Sequence, residues 1–110
     1  MKTLKKNYEF KKTLSKGAVA RGTYIDLYYL PNKKEENVIG IAIQKKLGKS
    51  VKRNRVKRII RENYRLIESS IPKGFDLVFV WRKNNPLEKV TFFAVQEDLQ
   101  EIFQKLQEKR

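Results

Sequence analysis

The stretch Lys45-Lys46-Leu47-Gly48-Lys49-Ser50-Val51-Lys52-Arg53-Asn54-Arg55-Val56-Lys57-Arg58-Ile59-Ile60-Arg61-Glu62-Asn63-Tyr64-Arg65 holds ten basic residues and one acid, yet its apolar positions recur at helical spacing. Val51, Val56, Ile59, Ile60, Tyr64 and Ile67 mark one side of a helix, and Gly48 and Ser50 stand just ahead of it. Ser50 therefore reads as the N-cap of a helix that ends before Pro72. At 100° per residue, Arg53, Lys57 and Arg61 stack along another side, and Arg58 and Arg65 continue the stripe. Like charges so spaced repel by roughly a few tenths of a kcal/mol per pair, and only Glu62 relieves them. A row of phosphates would remove the repulsion and add counterion release, so this face suits a nucleic acid.

The segments on either side of this helix set the fold class. Upstream, Thr23–Leu30 alternates Ile25/Leu27/Tyr29 with Tyr24/Asp26/Tyr28/Leu30, and Val38–Gln44 alternates Ile39/Ile41/Ile43 with Val38/Gly40/Ala42/Gln44. Pro31-Asn32 turns the chain between them, which predicts an antiparallel hairpin with Lys33 to Glu36 at its exposed tip. Downstream, Phe75–Trp81 reads as a third strand, and Thr91 as the cap of a last helix whose buried stripe is Phe92, Val95, Leu99, Ile102, Phe103 and Leu106. Glu97, Asp98 and Glu101 read as the solvated back of that helix, and Trp81 as a core or sheet-edge aromatic. At the start, Asn7 can cap a helix over about 8–16, with Glu9 in its positive first turn and Gly17 as a left-handed stop. The order helix-strand-strand-helix-strand-helix predicts an α+β fold: a small two-layer α/β sandwich on a mixed sheet, with one βαβ crossover, in a single domain over residues 1–110.

The charge of this domain is unevenly placed. Lys and Arg number 26 against 12 Asp and Glu, a formal charge of +14. Residues 1–21 carry +6 and 45–65 carry +9, while 22–44 carry −1 and 66–110 carry 0. Blocks this asymmetric point to a polyanion rather than to a solubility coat. The chain has no Cys and no His, which excludes disulfide partners, thiolate metal sites and imidazole acid–base chemistry. The longest apolar run, Val38 to Ile43, is far short of the ~20 residues of a membrane span, and Met1 to Lys12 lacks a signal-peptide apolar region. The expectation is a cytoplasmic RNA-binding protein with no membrane partner.

The run Lys45-Lys46 … Gly48 … Val51-Lys52-Arg53-Asn54-Arg55-Val56-Lys57-Arg58 … Arg61 resembles the Arg-Asn-Arg signature of the bacterial ribonuclease P protein component. Leu4-Lys5-Lys6-Asn7 … Phe10-Lys11-Lys12 … Leu14 … Gly17 looks like that family's opening helix, and Phe75–Val80 with Arg82 like its late strand. The resemblance spans about residues 2–106. It implies a noncatalytic protein subunit of an RNA enzyme that removes the 5′ leader of precursor tRNA with Mg²⁺, the metal being used by the RNA. It also implies a left-handed crossover around the basic helix, where pattern rules favour a right-handed one. Carried over by position, Arg53, Asn54, Arg55, Lys57, Arg58 and Arg61 would face the catalytic RNA near the cleavage site, with Lys46, Lys49, Lys52 and Arg65 as further bases of the same run. Phe10, Leu14 and Tyr28, with Lys6, would line a cleft for the single-stranded leader.

The residues themselves leave some roles open. Aromatic rings beside a basic rim suit stacked bases, and Gly40 and Ala42 are small enough to leave a floor open, but Phe10 and Tyr28 also fit a core. Asn54 can lock neighbouring Arg side chains, contact RNA, or stand idle on the surface. Leu14 stands where the family often has an aromatic. Asp26 falls on the cleft face, where it could hold Mg²⁺ or pair with a nearby Lys or Arg. Composition alone would equally suit a ribosomal protein or RNA chaperone, whereas a protein-only nuclease lacks a carboxylate cluster or His base. A membrane-surface helix is disfavoured because the apolar side of the basic helix is needed for the core.

Overall fold

Phe75–Trp81 is apolar on both sides of its pleat, and such a strand is stable only where neighbours cover both faces. The computed structural model, which describes residues 1–108, places it at the centre of a five-stranded sheet. In chain order the elements are β1 (Lys2–Thr3), α1 (Asn7–Lys16), β2 (Ala18–Arg21), β3 (Ile25–Pro31), β4 (Val38–Ala42), α2 (Ser50–Ile67), β5 (Phe75–Trp81) and α3 (Phe92–Glu108). The strands lie in the order β1-β4-β5-β3-β2. β5 runs antiparallel to β3, from Ile25 opposite Trp81 to Pro31 opposite Phe75, and parallel to β4, from Val38 opposite Asp76 to Ala42 opposite Val80. The α+β class, the mixed sheet and the βαβ unit β4-α2-β5 are as the pattern predicts.

The predicted hairpin of the 23–30 and 38–44 strands is not formed, because β5 inserts between its two arms. Two asparagines explain how the connection spans that gap. The Asn32 side chain donates to the Glu36 carbonyl and to Asp76 Oδ1, and its backbone N–H donates to the Gly74 carbonyl. The Asn37 side chain donates to the Pro72 carbonyl and accepts from the Phe75 N–H. The loop is thus stitched to the entrance of β5 instead of closing on itself. The true hairpin is β2–β3, whose first arm, Ala-Val-Ala-Arg, is too short and too poor in strand formers to register in the sequence.

One face of the sheet carries α2 and α3. Ile25, Leu27, Ile39, Leu77, Phe79 and Trp81 meet Val56, Ile60, Tyr64, Val95, Leu99 and Ile102 in the main core. α1 packs on the opposite face, where Phe10 joins Leu4, Tyr28, Val38, Val78 and Val80 in a second, smaller cluster. The helices therefore flank both faces, α1 covering its own only in part. Trp81 is buried, stacked on Tyr24 and donating from its indole N–H to the Asn85 carbonyl.

Three predicted end signals act differently. Asn7 is the first helical residue: Lys6 occupies the cap position, and the Glu9 carboxylate accepts the Lys6 N–H at 3.3 Å. Gly17 is not left-handed. It is glycine because a Cβ there would lie 2.5 Å from the Thr13 carbonyl and 2.8 Å from that of Tyr29. Ser50 makes no capping bond, whereas Thr91 does, its hydroxyl accepting the Ala94 N–H at 3.1 Å. Val51 is 78% exposed, so the apolar side of α2 begins at Val56.

Candidate nucleic-acid interface

Val56, Ile59, Ile60, Asn63 and Tyr64 face inward and fix the rotation of α2. The Asn63 amide is buried there, donating to the Ile59 and Phe92 carbonyls. With these residues inward, Arg53, Lys57 and Arg61 emerge on one flank, one above the other. Arg53 and Lys57 are half-buried at the margin, and Asn54, Arg58, Arg61 and Arg65 are exposed further out. Arg53 Nε donates to the Gly48 carbonyl at 3.2 Å, which ties the stripe to the turn ahead of the helix. Arg58 approaches Glu62 at 3.9 Å; among the described residues none of Arg53, Lys57, Arg61 and Arg65 pairs with a carboxylate.

Lys52 and Arg55 leave α2 on the other flank. Lys52 Nζ pairs with Glu88 at 2.7 Å, and Arg55 donates to the Val90 carbonyl at 2.8 Å. Both are bound to the segment that leads into α3, apart from the Arg53 stripe. Lys46 lies in the short 3-10 turn Lys45–Leu47 and Lys49 directly precedes α2, both exposed at its N-terminal end.

The second part of the site is the sheet face under α1. The Phe10 ring lies so close over Gly40 that a Cβ there would be 2.5 Å from its edge. Phe10 and Tyr28 are each half-buried, and Leu14 is 38% exposed. The rings thus pack in the small cluster and still present a surface. Lys6 is exposed, with its ammonium 5.7 Å from the centre of the Tyr8 ring, and Tyr8 leaves α1 on the side away from Phe10.

The strand registers arrange this face in rows. Val19, Tyr28, Val78 and Gly40 form one, and Arg21, Asp26, Val80 and Ala42 form the next. The second row lies at the C-terminal ends of β4 and β5, and α2 begins only a short turn after Ala42. The cleft end and the N-terminal half of the basic helix therefore share one end of the molecule.

Asp26 is buried in that second row. Its Oδ2 accepts from Arg21 Nη1 at 3.0 Å, and its Oδ1 lies 4.0 Å from Arg82 Nη1. Of the two sequence readings for Asp26, the ion pair is the one formed. Arg21 was not singled out in the sequence and Arg82 stood out only within the late-strand motif; recognition of β2 would have placed Arg21 directly opposite Asp26. Asp98 is a correction: it is 2% exposed rather than solvated, and its carboxylate accepts the N–H groups of Thr23, Tyr24 and Ile25 in the β2–β3 turn. Burial pushes its carboxyl above the ordinary value, partly offset by those three donors. Asp76 accepts from Asn32. Each of these carboxylates serves a protein donor, and no three Asp or Glu side chains converge among the described residues. Nor is any described helix long and apolar enough to cross a membrane.

A sequence model of the family described as Ribonuclease P matches residues 1–107. The ribonuclease P protein component of Caldanaerobacter subterraneus subsp. tengcongensis is 39% identical over 102 residues, 93% of this chain and 86% of that protein. That of Clostridioides difficile is 36% identical over 102 residues, 92% and 88% of the two chains. Among solved structures, the RNase P protein of Staphylococcus aureus superposes with a TM-score of 0.84 at 30% identity, covering 96% of this chain and 95% of that one. The RNase P protein of Thermotoga maritima gives 0.83 at 29% identity, with 96% and 97% covered.

Proposed function

The chain belongs to the ribonuclease P protein family and is a protein component of that tRNA 5′-processing enzyme, and from this premise we propose how its two surfaces divide the work. The Arg53/Lys57/Arg61 flank of α2, with Asn54, Arg58 and Arg65 beside it and Lys46 and Lys49 at its head, binds the catalytic RNA near the cleavage site. The half-open face of Phe10, Leu14 and Tyr28 takes the single-stranded 5′ leader of precursor tRNA. Lys52 and Arg55 chiefly hold α2 to the segment before α3, and Lys6 adds charge at the start of α1.

The carrying observation is that Arg53, Lys57 and Arg61 have no acidic partner among the described residues and stand at the same end of the molecule as a cleft floored by half-buried aromatics. Phosphates supply the missing counter-charge, and stacking on a ring is worth roughly 1–3 kcal/mol per base without sequence preference. Hydrolysis is left to the RNA and its Mg²⁺. Asp26, Asp76 and Asp98 are engaged with protein donors, and among the described residues no three Asp or Glu side chains converge as a metal cage would require. With precursor tRNA as substrate, the working compartment is the bacterial cytoplasm.

The test is leader cleavage of a precursor tRNA at low Mg²⁺ by bacterial ribonuclease P RNA alone, by the protein alone, and by both. Cleavage in the mixture alone is the expected result. Cleavage by the protein alone would overturn the division of labour, and no gain over a compatible RNA would favour a ribosomal or chaperone role.

A further inference from the structure

Asp26 poses an energetic question. It sits on the cleft face of β3 with 8% of its surface exposed, and its Oδ1 has no hydrogen-bond donor among the described residues. A buried carboxylate that is only half satisfied costs stability unless nearby cations compensate. Two do so here. Arg21 donates to Oδ2 at 3.0 Å, and Arg82, 4.0 Å from Oδ1, donates from the same Nη1 to the Gly22 carbonyl at 2.8 Å. The Arg82 N–H also donates to the Tyr24 carbonyl, which anchors its backbone to the same turn.

The exposures show which charge meets solvent. The Asp26 side chain is 12% exposed, against 60% for Arg21 and 37% for Arg82. The negative charge is thus hidden beside two more exposed arginine side chains, each with five N–H donors in a fixed plane. With Arg82, which follows β5, the group carries a net positive charge at the row Arg21-Asp26-Val80-Ala42, beside the row that holds Tyr28.

We propose that Asp26 is a positioning residue that holds Arg21 and Arg82 as a two-armed phosphate fork at the open end of the cleft floor. The fork grips a backbone phosphate of the single strand whose bases lie against Tyr28. This rests on the leader-binding reading above and adds residues to it. Simple electrostatics gives the opposite expectation, in which Asp26 repels the leader and its removal tightens binding. The sign of one substitution separates the two.

The experiment measures affinities of the reconstituted holoenzyme for precursor and for mature tRNA, across a salt series, for the native protein and for Asp26→Asn, Arg21→Gln and Arg82→Gln. Native holoenzyme should prefer the precursor. Asp26→Asn adds a unit of positive charge yet should cut that preference by about tenfold, with mature tRNA affinity unchanged. Arg21→Gln should cut it similarly and lower the slope of log affinity against log salt by about 0.7, the value for one single-strand phosphate contact. Tighter precursor binding by Asp26→Asn, or an unchanged preference in both Arg variants, would overturn the fork. If Asp26→Asn does not fold, Arg21→Gln decides alone, since its side chain is mostly exposed. A native holoenzyme with no precursor preference would overturn the leader cleft itself, and the fork with it.

Discussion

A carboxylate at position 98 and a guanidinium at position 55 do structural work in a chain whose surface is strongly basic. Asp98 holds the β2–β3 turn through three backbone N–H groups. Asp98→Ala should cost about 2–5 kcal/mol, read as a lower urea midpoint, because it strands those donors. Folding raises the Asp98 pKa above 3.8, so the native state holds this proton more tightly than the unfolded chain does. The linked contribution is fully present below that value and is lost as pH rises through the folded pKa. Asp98→Asn should remove this component from the slope of stability at pH values above 3.8. In the basic helix, Arg61→Ala should leave the melting temperature unchanged and lower the salt slope of RNA affinity by somewhat under one unit. Arg55→Ala should do the reverse, lowering stability by about 1 kcal/mol through the freed Val90 carbonyl with little change in salt slope. The sequence places both arginines in one motif, and only the helix rotation separates them.

Elements meet through what their side chains permit. α1 approaches the sheet because Gly40 leaves room for the Phe10 ring. Gly40→Ala should push that ring outward and destabilise the fold by about 1–3 kcal/mol. Faster amide exchange in α1 than in α2 would locate the damage, and equal exchange in both would place it elsewhere. The two faces of β3 and β4 were legible because strand alternation has a period of two and survives any change of neighbour. The neighbours themselves were not legible. Asn32 and Asn37, which draw the β3–β4 connection onto β5, read in sequence as ordinary turn residues.

For the whole molecule, a formal charge of +14 on 110 residues implies self-repulsion that salt should relieve. Raising salt should therefore raise the melting temperature of the free protein while weakening its hold on RNA, two slopes of opposite sign from one charge distribution. Parallel slopes would mean that the charges stabilising the fold and those binding RNA are the same. Local pattern by itself determined the α+β class, the three long strands, the two long helices and the basic face of α2, because periodicity and charge blocks belong to neighbouring residues. Resemblance carried in that pattern reached the family. Tertiary structure alone decided that β5 splits the expected hairpin, that α1 takes the opposite face from α2 and α3, that Asp98 is an internal cap, and that Arg21, Asp26 and Arg82 form one group. Each of these depends on contacts between residues distant in the chain, whose energies no local pattern records.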